Sequence, residues 1–368
     1  MTPEVTLFVD PPTHHFLGDR LFEAEAARLG GDNLLAPHIA VRDHFRSHGI
    51  AVHTADRFPR LATRVNLLVS LGRAEAARTW RDDPRLVRSA FFAMECPIVE
   101  PTLYRALPEM ADLFARVYCW TDGDSLLPFT RTPVPSDRFF WPQSVDAVDL
   151  PVWSRTERKF LAMINANKLP RLPDRELYTE RLRAVAFFQS VGDIDLYGKN
   201  WDRMPNRVGR TWVPATARRL HGWLWRHWQR VRPDPLYRAA REANRGPVDR
   251  KIDTLGHYRF ALCFENMRLR GWITEKLFDC LAAGTVPIYW GATDIEEWVD
   301  PACYIDMRRF PGYADLHRYL RGLGAEKVTA YRDAGRAFLA SSRFDRFRIR
   351  AWVDRFRQIV RDDAGVET

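Results

Sequence analysis

A carboxylate beside an amide, Glu265-Asn266, and a Thr274-Glu275-Lys276 triplet a short loop later are the residues of this chain best suited to chemistry. They lie in one passage, Tyr258 to Gly291, which reads YRFALCFENMRLRGWITEKLFDCLAAGTVPIYWG. Lys276 is the informative one. A cation in the first turn of a helix opposes the macrodipole, at a cost of roughly a few tenths of a kcal/mol. An anion bound there by the free N–H groups, the dipole and the ammonium together offsets that cost. The chemistry this suggests is the holding of phosphate. Bland readings stand beside it. Lys276 can snorkel from a surface helix, Glu275 is favourable at the first helical position in any protein, Asn266 suits a turn, and Glu265 can pair with Arg259.

These groups need a particular scaffold. Tyr258–Phe264 reads as a strand, so Glu265 and Asn266 stand at its carboxyl end, where open parallel sheets bind ligands. Gly271 leads to Thr274, an N-cap candidate for a helix over Glu275–Ala283, and Gly284 suits the position that ends it. Val286–Trp290 reads as the next strand and opens at Gly291 onto the same edge. Similar apolar runs mark the first part of the chain: Val5–Val9 stopped by Asp10, Val65–Leu71 closed by Gly72, Phe91–Met94, and Val117–Trp120. Such runs, lacking strict alternation and separated by helix-length segments, predict a parallel α/β layer. A Pro-rich crossover follows at Pro128–Pro151, and a second α/β unit begins near Lys159. It has a strand at Phe160–Ile164, a helix at Glu176–Phe188 and a strand and turn at Ile194–Gly198. Domains are therefore expected at 1–150 and 151–342, with a basic amphipathic helix over 343–368.

The chain has 368 residues, 46% hydrophobic and 28% charged, so it is globular. Its net charge of +9 favours anionic partners without choosing among them. Five widely spaced cysteines without a CxxC fit neither a disulfide framework nor a zinc knuckle and point to a reducing compartment. No basic-then-apolar leader opens the sequence, and no run of about 18 apolar residues is present, so a cytoplasmic protein is expected. Between Arg203 and Arg250, Trp212, Trp223, Trp225 and Trp228 stand among many arginines. That insertion suits either contact with an anionic membrane surface or helical packing with a solvated Arg face. Nucleic-acid binding, the other class the charge allows, lacks a zinc motif, a helix-turn-helix cue or a basic block.

YRFALCFEN, GWITEKLFD, AGTVPIYWGA and YIDMRRF, with IDLYGKNW and NANK upstream, resemble the signature of the α-1,3/1,4-fucosyltransferases, glycosyltransferase family 10. The resemblance is dense over about 258–320. It implies a GT-B fold, two Rossmann-like domains facing a central cleft, with the N-terminal one binding acceptor and the C-terminal one the donor. It also implies GDP-fucose as donor and inversion at the anomeric carbon. Carried onto this chain, the donor pocket takes Arg259, Glu265, Asn266, Trp272, Thr274, Glu275 and Lys276, with Glu275 on the ribose hydroxyls and Lys276 on the diphosphate. Trp272 stands where many members have Tyr, so an aromatic face is kept and a hydroxyl is lost. A further donor Arg is Arg181 or Arg183, Arg181 being favoured. An inverting transfer needs a base for the acceptor hydroxyl. Glu95 in FFAMECPIVEP, at a strand end stiffened by Pro97, is the candidate and Glu100 its competitor. Asp122-Gly123-Asp124 and Asp193-Ile194-Asp195 spell DxD, but with Lys and Arg present to neutralise phosphates no metal or other cofactor is expected. The acceptor implied is a galactose- or N-acetylglucosamine-type glycan, free or lipid-linked.

Overall fold

The computed structural model describes residues 4–24, 34–170, 175–209, 215–232 and 234–368. The chain divides into two compact units. The first comprises Met1–Pro97, Pro101–Ser144 and Asp345–Thr368, and the second Ile98–Glu100 and Val145–Phe344.

In the first unit six strands form one sheet: β1 (Val5–Asp10), β2 (Ala51–Thr54), β3 (Val65–Leu71), β4 (Leu86–Phe92), β5 (Val117–Cys119) and β6 (Asp137–Arg138). Their order is β2-β1-β3-β4-β5-β6, and every neighbouring pair is parallel. VTLFVD is buried at all six positions because the sheet is covered on both faces, as a parallel layer requires. β4 starts at Leu86, earlier than the apolar run beginning at Phe91 suggests. Arg88 and Ser89 hide that start, since the Arg88 guanidinium donates to the carbonyls of Leu113 and Arg81 beside the strand. Helix α1 (Ala36–Ser47) packs on this sheet.

The second unit has β7 (Lys159–Ile164), β9 (Ile194–Tyr197), β11 (Tyr258–Phe264), β12 (Val286–Trp290) and β13 (Ile305–Asp306) in one parallel sheet of order β13-β12-β11-β7-β9. A short ribbon pairs β8 (Lys168–Pro170) with β10 (Asn206–Val208). Its helices include α2 (Tyr178–Ser190), α3 (Ala215–Val231), α4 (Pro235–Ala243), α5 (Lys251–Leu255), α6 (Glu275–Ala283) and α7 (Ala325–Ala340). Helix α2 starts two residues later than its apolar pattern indicates, because the Glu176 carboxylate accepts from the Thr179 N–H at 2.9 Å ahead of the helix.

The basic C-terminal segment is not one helix. It breaks at a 3-10 turn over Ser342–Phe347, and α8 (Ile349–Ala364) then joins the first unit. There Trp352 and Phe356 pack on Phe92, with ring centroids 4.9 and 5.9 Å away. Packing therefore accounts for the apolar face of α8.

Candidate functional site

In the second unit the chain passes from β7 to β9 on one side and to β11 on the other. The order of strands thus reverses between β7 and β11, and ligands in open α/β sheets bind outside the carboxyl ends at such a point. Glu265 and Asn266 follow β11 at that edge. The loop after them is pinned by the buried Asp294, which accepts from the Gly271 N–H at 2.7 Å and the Trp298 indole at 2.7 Å. Gly271 sits at φ +76°, a left-handed conformation suited to glycine. The loop delivers Thr274 at the N-cap of α6. At the far end of α6, Gly284 adopts φ +67°, and the Arg158 guanidinium donates to the carbonyls of Ala283 and Gly284. The helix is therefore held at both ends.

Glu265 is completely buried and organises the first turn. Its carboxylate accepts from the Thr274 N–H at 2.8 Å, from the Thr274 hydroxyl at 2.8 Å and from Lys276 Nζ at 2.9 Å. Lys276 Nζ is also 2.8 Å from Thr274 Oγ1. Thr274 occupies the N-cap position but makes no side-chain cap, since its hydroxyl is engaged by Glu265. The Lys276 side chain is 17% exposed. Burial lowers its pKa, but the carboxylates of Glu265 and Glu275 outweigh burial and hold it above the ordinary lysine value. Glu275 is partly buried and meets Lys251 at 3.2 Å. Burial favours its neutral form, yet Lys276 and Lys251 prevail and its carboxyl lies well below the usual range. Arg181 joins the group from α2: it is 4% exposed and donates to the Phe264 carbonyl at 2.7 Å and to Asn266 Oδ1 at 3.1 Å. A cavity of about 40 Å³ borders the turn, lined in part by Ile164, Ala261, Cys263, Glu275 and Lys276. Gly291 is required for this arrangement, because a Cβ there would lie 2.3 Å from Glu265 Cγ.

The structure thus gathers Arg181, Glu265, Asn266, Thr274, Glu275 and Lys276 at one edge. Three other candidates stand elsewhere. Arg259 is near the amino end of β11, about 20 Å along the strand from Glu265. Its guanidinium covers Phe160 and Phe260, 5.3 and 5.7 Å from the ring centroids, so it is not part of the cluster. It is also not the partner of Glu265, which binds Lys276. Trp272 is 2% exposed, and its carbonyl accepts from the Tyr289 hydroxyl; it packs the loop and presents no aromatic face to solvent. Arg183 is exposed on α2 and pairs with Glu180 at 2.5 Å. Of the DxD triplets, Asp193 is paired with His317 and Arg321, and Asp195 with Lys159 and Arg245. Asp122 is the N-cap residue of a helix over Gly123–Thr130. Trp212 lies outside the described residues.

In the first unit Glu95 is exposed just past β4, at the carboxyl edge of that sheet. Its backbone is fixed by the Tyr104 hydroxyl, which donates to the Glu95 carbonyl at 2.8 Å. Glu100 is partly buried and belongs to the second unit. The same edge holds polar groups that sequence reasoning passed over. Asp10 and Ser70 are register partners at the ends of β1 and β3, the strands between which the order of this sheet reverses. Arg73 lies 3.7 Å from Asp10, whose carboxyl is pushed up by burial and drawn back in part by Arg73. Asp10 Oδ2, Ser70 Oγ, Arg73 Nη1 and Thr121 Oγ1 are buried without a hydrogen-bond partner among the described residues. An acid closing one apolar run and an arginine just after another were the only signals available.

Residues 236–333 match the model of glycosyltransferase family 10 (fucosyltransferase), C-terminal domain. An α-(1,4)-fucosyltransferase of Arabidopsis thaliana is 39% identical over 74 residues, 20% of this chain and 18% of that protein. An α-(1,3)-fucosyltransferase of Helicobacter pylori is 34% identical over 86 residues, 23% of this chain and 18% of that protein. The matches therefore span about a fifth of those relatives. In fold, the chain resembles a crystal structure of an α1,3-fucosyltransferase at TM-score 0.52 and 15% identity, over 98% of this chain and 92% of that one. It also resembles a UDP-forming trehalose-phosphate synthase of Burkholderia xenovorans at TM-score 0.52 and 12% identity, over 95% and 83%. The fold is α/β of the GT-B type. All the clustered residues except Arg181 fall within the matched stretch 236–333.

Proposed function

We propose that this protein is an inverting fucosyltransferase that moves fucose from GDP-fucose to a hydroxyl of a galactose- or N-acetylglucosamine-type glycan, in α-1,3 or α-1,4 linkage. One observation carries the reading: Lys276, inside the stretch that matches the family 10 model, and Arg181, from α2 outside it, bring two cations to the mouth of α6, whose N-cap side chain is engaged elsewhere. Two of the three Lys276 N–H groups serve Glu265 and Thr274, which aim the ammonium and leave the third for a phosphate oxygen. The first-turn N–H groups and the helix dipole add to the same field. Glu275, kept ionised by its lysines, accepts from the ribose hydroxyls.

Glu95 takes the proton of the acceptor hydroxyl. The acceptor oxygen then bonds to the anomeric carbon from the face opposite the phosphate, and the carbon–oxygen bond to phosphate breaks with its electron pair leaving on GDP. The cations at α6 stabilise that charge, so no metal ion enters this reading. Asp10, Ser70 and Arg73 offer a mixed set of donors and acceptors suited to the hydroxyls of the acceptor glycan. The names of the relatives support fucose as the transferred sugar, and a cytoplasmic glycan precursor, free or lipid-linked, fits the reducing compartment suggested by five unpaired cysteines.

The test incubates the protein with GDP-fucose and an array of galactose- and N-acetylglucosamine-containing acceptors, read by mass. The reading predicts that one or more acceptors gain a single deoxyhexose. Transfer only from another nucleotide sugar would replace the donor. Stabilisation by an oligonucleotide with indifference to GDP would replace the class.

A further inference from the structure

Helix α3 is not accounted for by fucosyl transfer. On an ordinary globular surface an amphipathic helix turns its apolar stripe to the core. Here it faces outward. Leu220, Trp223, Leu224, Trp228 and Val231 recur at helical three- and four-residue spacing and are 56, 56, 47, 57 and 66% exposed. Among the described residues of α3, Trp225 is directed to the interior, against Tyr237 of α4, with ring centroids 5.8 Å apart. That indole packs on α4, while five large apolar side chains of the same helix are left to solvent.

Charge indicates what covers them. No Asp or Glu occurs between Asp202 and Asp234, while that interval holds Arg203, Arg207, Arg210, Arg218, Arg219, Arg226, Arg230 and Arg232. Indoles favour the interfacial region of a bilayer, aliphatic side chains its acyl boundary, and arginines pair with phosphate headgroups. An exposed apolar stripe on an arginine-rich, acid-free helix combines the three. A nucleic acid would meet the arginines but give no reason to expose Leu220, Leu224 and Val231. A second protein chain would need acidic residues to face this interval.

We propose that α3 is an interfacial anchor by which the protein docks on a membrane surface rich in anionic phospholipid, with Leu220, Trp223, Leu224, Trp228 and Val231 inserted below the headgroups. The inference does not depend on the transferred sugar, because it rests on a helix remote in sequence from the α6 turn.

The test is co-sedimentation of the full chain with vesicles of phosphatidylcholine alone or mixed with phosphatidylglycerol. The inference predicts binding to the mixed vesicles and little to the neutral ones. Trp223→Ser/Trp228→Ser should lower partitioning about tenfold or more, with far-UV circular dichroism and melting temperature close to the parent, since both indoles are exposed. Equal binding by the parent and the double variant would overturn the inference, as would failure of the folded parent to bind mixed vesicles. Retention on heparin or duplex DNA without vesicle binding would assign the arginines to a polyanion instead. A dimer in light scattering that the double variant abolishes, without vesicle binding, would assign the stripe to a second copy.

Discussion

Lys276→Met separates the two roles that Lys276 holds. In the parent, the fully buried Glu265 carboxylate faces the ammonium at 2.9 Å. Removing the cation leaves a buried anion with, among the described residues, the Thr274 N–H and hydroxyl as donors, and breaking such a pair costs about 3–5 kcal/mol. For a unit of this size that corresponds to a fall in Tm of roughly 6–20 °C. Glu265→Gln in the same chain removes the uncompensated charge and keeps an acceptor for Thr274, so the double variant should recover most of that loss. GDP affinity should not recover with it. A charge-assisted hydrogen bond to phosphate contributes about 1.5–3 kcal/mol, so both the single and the double variant should bind GDP roughly 10- to 150-fold more weakly. Thermal unfolding by circular dichroism and calorimetric titration with GDP measure the two effects independently. A double variant that regains stability and binds GDP like the parent would show that Lys276 serves Glu265 alone.

Other perturbations probe other parts of the account. Glu95→Gln should leave GDP affinity within about twofold and abolish transfer; near-normal turnover would remove Glu95 from the chemistry. Gly291→Ala places a Cβ 2.3 Å from Glu265 Cγ and 2.7 Å from the Tyr289 hydroxyl, so it should cost about 1–3 kcal/mol and weaken GDP binding, read by the same two assays. His38 lies between Trp141 and Trp352, at 6.1 and 6.3 Å, and burial pushes its pKa down from 6.5 to about 4. The unfolded chain therefore takes up this proton first. The stability at stake is intact above about pH 6.5 and is lost progressively down to about pH 4, amounting to about 3 kcal/mol. Denaturant unfolding across that range should show this slope in the parent and a flatter one in His38→Phe.

The α6 region was legible in the sequence because polar residues bound its apolar runs. Glu265-Asn266 stop β11, Thr274 opens α6, Gly284 ends it, and each boundary falls where those residues place it. Which partner a buried charge selects was not legible. Glu265 has an arginine six residues before it and a lysine eleven after it, and the extended rise of β11 decides between them by carrying Arg259 to the far end of the strand. Trp272 shows the same limit: its type allows a ligand platform, but the loop fixed by Asp294 buries it. Asp10 and Ser70 meet only because β3 returns beside β1, a pairing that neither run specifies alone. The outward stripe of α3 gives the same periodicity as an inward one, so only exposure separates an anchor from a packed helix.

The most direct test of the central claim is a crystal structure of the protein with GDP. The account predicts the diphosphate at the carboxyl end of β11, within hydrogen-bonding distance of Lys276 Nζ and the first-turn N–H groups of α6, with the ribose at Glu275. A diphosphate bound away from α6, with the Glu265–Lys276 pair closed as it is in the free protein, would contradict it.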